Sequence, residues 1–181
     1  TQTKRDSADL ELKLQEDHKT HEAEINNATG KVDRAISELY DDRKGNLVVA
    51  PSKSGPKIDI AIQGDGNRGG IDQMKIFCFD SMIYEVTCER LGGPGFLVHD
   101  SHLFDGVDKR QVYLAMLFGA KVAERKLGQY IIAMNSDEFN ACLEAAESSG
   151  RGKERNVLES AVMDVRLTDH ETGGLFGFRF D

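Results

Sequence analysis

Residues 92–108 read GGPGFLVHDSHLFDGVD, and the rest of the chain is interpreted from them. The apolar run Phe96, Leu97, Val98 follows a cluster of chain-breaking residues, a pattern typical of a strand buried in a sheet. The strand is predicted to end at Asp100. Open α/β sheets bind ligands beyond the carboxyl ends of their strands, and a carboxylate there holds Mg²⁺ directly or through water. The alternative is that Asp100 merely caps the following turn.

A helix and a second strand are predicted to follow this stretch. Residues 107–126 carry apolar side chains at helical spacing and are followed by Gly128, and residues 130–134 form another apolar run. Helical periodicity closed by glycine indicates an amphipathic helix. Strand, helix and strand of these lengths predict a βαβ unit with parallel strands and a right-handed crossover.

Asn135 ends the second predicted strand as Asp100 ends the first. It therefore falls at the same edge of the sheet and is a second candidate site residue. Asn135 and Glu138 also have the spacing of a capping box, in which two side chains bond the free N–H groups at a helix start. The alternative role of Asn135 is therefore to begin the helix predicted for residues 137–148.

The first forty residues are predicted to form a helical arm. Over residues 9–40, sparse apolar or small side chains recur at alternating steps of four and three, as in a coiled-coil seam. These positions are Leu14, His18, His21, Ile25, Ala28, Val32, Ala35 and Leu39. We interpret residues 1–44 as the end of a coiled-coil arm that enters a domain of residues 45–181. The alternative is a long helix packed on its own core.

A hairpin and a glycine-rich loop are predicted between the arm and residues 92–108. Residues 47–50 and 58–63 are short β-prone runs joined by a loop containing Pro and Gly, which predicts a hairpin. Residues 64–70 read GDGNRGG and lead into a helical pattern. Such a loop makes an anion site, because the free N–H groups and the helix dipole point at the same place; a flexible connector is the alternative. It is not a P-loop, since Gly70 and Ile71 stand where Lys and Ser or Thr are required.

The last segment is predicted to close the sheet. A turn at residues 172–174 leads into a strand at residues 175–180, in which Phe176, Phe178 and Phe180 alternate with other residues. Alternation with a period of two places these three rings on one face of the strand.

The composition indicates a soluble acidic protein. Charged residues make up 30% of the 181 residues and the formal net charge is -8, so any contact with DNA has to be local. We expect no membrane partner and a cytoplasmic location, because no apolar run approaches the roughly 20 residues that span a bilayer and no secretory leader is present. The chain begins without Met inside a helical pattern, which suggests a piece of a longer protein.

In their order along the chain, these features resemble the C-terminal lobe of an ABC-type ATPase head of the SMC and RecN class, including uncharacterised bacterial SMC-like ATPases. The resemblance covers roughly residues 45–181, and the preceding helix corresponds to the returning strand of the family's coiled coil. The family order is arm, signature loop opening a helix, Walker B strand, D-loop, helix, and a strand ending in the switch residue. The resemblance implies an α/β fold, the C-terminal lobe of a P-loop NTPase.

By this resemblance the signature loop would comprise Asn67, Arg68, Gly69 and Gly70. In the family, the amides of this loop contact the γ-phosphate of an ATP molecule held by a partner head. The signature serine of the family is absent here, and Asn67 is the nearest residue.

Residues 96–100 would be the Walker B strand, with Asp100 as its carboxylate. The D-loop would comprise Gly106, Val107 and Asp108, and the switch position would fall on Asn135. Asn135 replaces the family's switch histidine, and Ser101 stands where a Glu usually orients the attacking water. Ser101 cannot act as a base at pH 7, whereas the neighbouring His102 is a candidate base. The resemblance therefore implies that ATP and Mg²⁺ bind, with Asp100 arranging the metal shell, and leaves hydrolysis dependent on Ser101 and His102.

The resemblance also implies partners. The Walker A loop belongs to an N-terminal lobe, and no such loop occurs in this sequence, so the chain is expected to be inactive alone. In the whole protein, two heads would pair as a homodimer around ATP and move the coiled-coil arms. DNA would be the target, in maintenance or defence.

Two alternatives remain open from the sequence. One is a nucleotide-responsive or purely structural dimerisation module that does not catalyse. The other is a metal-dependent nuclease that uses Asp100, His102, Asp105 and Asp108. A nuclease also needs a basic track for the phosphate backbone. The candidates for that track are Lys109, Arg110, Lys121, Arg125 and Lys126.

Overall fold

The computed structural model describes residues 2–50, 52, 55–64, 70–164, 167–168, 170 and 172–174. Within these ranges the chain is mixed α/β, with six α-helices and two small sheets, which confirms the predicted class at this level. The helices are α1 (Gln2–Thr20), α2 (Glu22–Leu39), α3 (Ile71–Leu91), α4 (Lys109–Arg125), α5 (Ser136–Ser148) and α6 (Gly152–Ser160), and the strands are β1 (Gly45–Ala50), β2 (Lys57–Ile62), β3 (Phe96–Asp100) and β4 (Gln129–Ala133). None of the helices in this part of the chain has the length and apolar character to span a bilayer.

The predicted arm consists of two successive helices, α1 and α2, which are separated at His21. The predicted seam positions Ala28, Val32, Ala35 and Leu39 are all buried, and α2 contacts β1, α3 and α4. The second half of the predicted seam therefore packs on the chain's own core, as expected for the alternative of a long helix packed on that core. The boundary at residue 44 stays a prediction.

The strands β1 and β2 form the predicted antiparallel hairpin, with Gly45 opposite Ile62 and Ala50 opposite Lys57. Its buried side chains are Leu47, Ile60 and Ile62, and β1 packs on α2. The hairpin thus covers the arm side of the core rather than joining the second sheet.

The strands β3 and β4 form a parallel pair joined by α4, which confirms the βαβ unit. One face of this pair packs on the core through side chains such as His99 and Tyr130. On the other face Phe96 and Val98 are each 51% exposed and Ile131 is 42% exposed. The prediction that β3 is a buried strand is therefore wrong for one face. The closing strand predicted for residues 175–180 lies outside the described residues.

Two carboxylates one turn apart on α3 tie the neighbouring helices together. The buried Glu85 accepts two hydrogen bonds from Nη2 of Arg34, at 2.6 and 2.8 Å. Glu89 accepts hydrogen bonds from Lys126 at 2.6 Å and from Lys31 at 3.0 Å. Since Lys31 and Arg34 belong to α2 and Lys126 follows α4, these pairs fix the angle of α3 between the two helices.

Glu89 is expected to make stability depend on pH. The hydrogen bond from Lys126, followed by that from Lys31, lowers the pKa of Glu89 from 4.5 to about 2. Because the folded pKa is depressed, this contribution is present above pH 4.5 and is lost as the pH falls toward 2. Since the side chain is one-third exposed, solvent screening reduces the contribution at pH 7 to about 1–2 kcal/mol.

Urea unfolding of Glu89→Gln at neutral and acidic pH measures this contribution. The variant is expected to be less stable than the wild type at pH 7, and the difference should shrink as the wild-type carboxylate becomes protonated. Glu124→Gln is the control, because Glu124 is exposed on α4 and its change should stay within about 0.5 kcal/mol. Equal stability of wild type and Glu89→Gln at pH 7 would contradict the prediction.

Candidate functional site

The candidate site lies at the carboxyl end of the β3–β4 pair. Asp100 is the last residue of β3 and is opposite Ala133, and Asn135 follows β4 two residues later. Asp100 and Asn135 therefore lie at one edge of the sheet, where the βαβ pattern predicted them. Ligands of open α/β sheets bind at this kind of edge.

Asp100 also caps the turn that follows it. Its Oδ1 accepts a hydrogen bond of 2.8 Å from the backbone N–H of His102, at the start of the single 3₁₀ turn Ser101–Phe104. Asp100 therefore does cap the turn. This hydrogen bond uses one of the about four lone-pair sites of the carboxylate, and the others are available to a ligand. The residue is exposed, so a capping role and a ligand role are compatible.

His102 pairs with a neighbouring carboxylate at this edge. It is highly exposed, and its Nδ1 lies 3.0 Å from Oδ2 of Asp105. The hydrogen bond to Asp105, together with the negative charges of Asp100 and Asp105, raises the pKa of His102. A raised pKa makes the neutral imidazole a stronger base but lowers the neutral fraction at a given pH. Ser101 cannot act as a base at pH 7, so His102 stays the candidate base of this edge.

The end of the glycine-rich loop packs on the predicted D-loop. Gly70 precedes α3 with φ of 86°, and a Cβ built on it would lie 2.9 Å from both the carbonyl oxygen of Gly106 and Cα of Val107. Asp108 then caps α4 by accepting a 2.9 Å hydrogen bond from the backbone N–H of Arg110. Of the predicted signature residues only Gly70 is described; Asn67, Arg68 and Gly69 lie outside the described residues.

The capping box predicted for Asn135 is wrong. Asn135 stands at the N-cap of α5, but its side chain makes no capping hydrogen bond. The carboxylate of Glu138 pairs instead with Nζ of Lys109, which links the first turn of α5 to that of α4. The side chain of Asn135 is exposed at the candidate edge and takes no part in capping α5.

The residues of this edge supply only some of the ligands that a Mg²⁺ ion requires. Among the described residues no group of three or more His, Cys, Asp or Glu side chains is placed to hold a metal ion. Mg²⁺ is usually bound by one or two carboxylates together with water and substrate phosphates, so Asp100 meets the protein's share of such a site. The four-residue metal cluster required by the nuclease hypothesis gains no support from this arrangement.

The basic residues of α4 do not form the track that a nuclease needs. Two of them donate hydrogen bonds to carboxylates, Lys109 to Glu138 and Lys126 to Glu89. Two more lie near a carboxylate, Lys121 at 3.5 Å from Glu38 and Arg125 at 3.9 Å from Glu85. Because these carboxylates belong to α2, α3 and α5, the basic side chains point in several directions.

The sequence interpretation missed a polar cluster beneath β3, in which His99 is buried and Tyr130 and Asp80 are partly exposed. The Nδ1 atom of His99 lies 2.9 Å from the hydroxyl of Tyr130, and Nε2 lies 3.3 Å from Oδ2 of Asp80 without the geometry of a hydrogen bond. Burial, followed by the charge of Asp80, raises the pKa of Tyr130. These residues are far apart in sequence, so only the alternation of β3, which turns His99 inward, could have indicated the cluster.

A protein-family model described as "Uncharacterised protein conserved in bacteria (DUF2326)" matches residues 35–180. The matched range begins in α2 and includes both sheets and every residue of the candidate edge. No curated protein matches the chain.

Proposed function

We propose that this chain, which belongs to the DUF2326 family, forms the C-terminal lobe of an SMC-like ABC-type ATPase head. In this proposal an N-terminal lobe outside the printed sequence carries the Walker A loop. Two such heads pair around ATP and Mg²⁺, and their closure moves the helical arms. The task served is DNA maintenance or defence, a step that rests on family resemblance alone.

The packing of Gly70 on Gly106 and Val107 is the observation that carries the proposal. It brings together the loop that opens α3 and the turn that precedes α4, and Asp100 begins the short segment that leads into this turn. An ATP molecule sandwiched between heads requires helix-opening amides, a Walker B carboxylate and a D-loop on neighbouring surfaces. The contact of Gly70 with Gly106 and Val107, which are distant from it in sequence, supports this combination.

The uncovered face of the β3–β4 pair gives further support. Among the described residues this sheet has two strands, which is marginal by itself, and both Phe96 and Val98 expose half of their surface. Parallel sheets in α/β proteins have both faces covered, because their strands are apolar on both sides. We assign the cover of this face to the proposed N-terminal lobe.

Each residue at the edge has a distinct task in this proposal. The first N–H groups of α3, which begins after Gly70, face an anion with the positive end of the helix dipole. Asp100 holds the metal shell through its free oxygen. When bound, Mg²⁺ would neutralise phosphate charge. His102, whose pKa is raised by Asp105 and Asp100, is the candidate base at the same edge.

A non-catalytic, nucleotide-responsive dimerisation module is the second candidate, and the serine at position 101 favours it. Ser101 cannot act as a base at pH 7, so the position where the family usually has a water-orienting Glu lacks a carboxylate. Such a module would bind ATP and pair its heads without rapid turnover.

The test measures ATP hydrolysis and ATP-dependent dimerisation of the full-length protein, with and without Mg²⁺. Asp100→Ala is expected to lower Mg²⁺-dependent turnover about 100-fold or more, by loss of charge stabilisation at the phosphates. Asp164→Ala is the matched control, because Asp164 is an exposed carboxylate beyond α6. His102→Ala measures whether His102 contributes to turnover.

The outcomes separate the two candidates. Dimerisation by ATP without turnover would favour the non-catalytic module, and Ser101→Glu should then raise turnover only if water can be activated at this edge. An intact protein that neither binds nor hydrolyses ATP would exclude both.

A further inference from the structure

A cavity of about 550 Å³ lies where the end of α2, the first turn of α4 and the α5–α6 connection meet. Its charged lining residues are Arg43, Arg110, Arg151, Asp41 and Asp42. The three arginines come from three separate segments of the chain. Their convergence on one cavity therefore results from the tertiary fold and not from a local run of basic residues.

The guanidinium group of Arg43 lies beside Tyr40 and has one unpaired nitrogen. Its carbon lies 4.9 Å from the centre of the Tyr40 ring. Its Nη1 atom is buried and has no hydrogen-bond partner in the described part of the chain. A buried donor left without a partner is costly, and a charged donor more so. Because Nη1 is closed off from solvent, the guanidinium has to rotate toward the cavity to bond a ligand there, and doing so relieves this cost.

Arg110 and Arg151 also keep donors available. Their nearest carboxylates are Asp108, 3.9 Å from Nε of Arg110, and Glu154, 3.7 Å from Nη1 of Arg151. Both distances exceed a hydrogen bond. Each guanidinium has five N–H donors in a planar fork that matches phosphate oxygens. Both side chains are also partly exposed, so they can adjust to a ligand.

We propose that this cavity binds a phosphate group through Arg43, Arg110 and Arg151. Three guanidinium groups line one cavity, and an anion with several acceptor oxygens can accept hydrogen bonds from more than one of them. Asp41 and Asp42 are exposed at the cavity and limit the negative charge that it accommodates to about one phosphate group. The ligand is therefore a compact phosphate, supplied either by a small molecule or by a single backbone phosphate of DNA.

Calorimetric titration of the 181-residue chain with pyrophosphate, and anisotropy of a short labelled DNA duplex at low salt, test the proposal. Arg43→Gln and Arg151→Gln are each expected to weaken binding about tenfold or more, the effect of losing a hydrogen bond to a charged group. Arg90→Gln is the matched control, because Arg90 is exposed at the end of α3 outside the cavity; its change should stay within about twofold.

The two ligands distinguish the source of the phosphate. Tight pyrophosphate binding indicates a small molecule, whereas DNA binding that pyrophosphate displaces indicates a backbone phosphate; either supports the cavity if both variants weaken it. Arg151→Gln keeps the test valid if Arg43→Gln unfolds. The proposal is overturned if neither probe binds, or if the cavity variants bind as tightly as Arg90→Gln. Neither result depends on ATP hydrolysis, so failure of this proposal and failure of the proposed function are distinguishable.

Discussion

Replacing Phe77 with alanine is expected to lower the free energy of unfolding by about 3–5 kcal/mol, the cost of deleting a fully buried aromatic side chain. Phe77 has no exposed surface, and its ring centre lies 5.6 Å from that of His99 and 6.2 Å from that of Phe118. It thus joins α3 to both β3 and α4. Its removal leaves a cavity under the strand that carries Asp100.

Denaturant unfolding of Phe77→Ala beside Ile76→Ala measures this effect. Ile76 is the neighbouring residue on α3 and is 52% exposed, so its truncation should cost no more than about 1 kcal/mol. Both variants place alanine at neighbouring positions of α3, so they differ mainly in how far the replaced side chain was buried. If the two variants lose similar stability, α3 presents a different face to the core from the one described.

The sequence was sufficient to predict the βαβ unit because its local signals agree. Short apolar runs bounded by glycine specify the strands, and the spacing of apolar residues after Val107 specifies α4. The parallel register then places Asp100 and Asn135 at one edge. No distant contact needs to be known for this part of the fold.

The surroundings of these elements could not be predicted in the same way. The run from Phe96 to Val98 indicates burial on both faces, but an apolar pattern does not tell which chain supplies the cover. The spacing of Ala28, Val32 and Leu39 suits a partner helix as well as the chain's own core, and here it faces the core. Both ambiguities concern the identity of the packing partner.

The polar contacts depend on the fold even more strongly. Glu138 has the spacing of a capping residue, yet its carboxylate is drawn to Lys109 because α4 and α5 begin side by side. The arginines of the cavity have no common spacing in the sequence. Likewise, residues 149–155 look like a charged loop, but α6 begins at Gly152 and contacts α5 and α4.

Substituting Gly70 with alanine is expected to destabilise the chain by about 2–4 kcal/mol, combining a left-handed backbone conformation with local overpacking. The new Cβ would meet two backbone positions, the Gly106 carbonyl oxygen and Val107 Cα, each at 2.9 Å. Backbone atoms cannot swing aside as a flexible side chain can. The loop that opens α3 must therefore separate from the turn at residues 106–107. In the full-length protein this should weaken ATP-dependent association at least about tenfold, since both segments belong to the proposed pairing surface.

Gly64→Ala provides the matched control for this prediction. Gly64 has a similar φ of 74°, but a Cβ built there meets no atom of the described residues within 4 Å. Its substitution should cost only the conformational part, about 1–2 kcal/mol, and should leave association unchanged. The difference between the two variants in denaturant unfolding thus measures the contact between Gly70 and the turn. Were that difference absent, Gly70 would not pack on Gly106 and Val107, and the proposed head would lose the contact that joins its helix-opening loop to its D-loop.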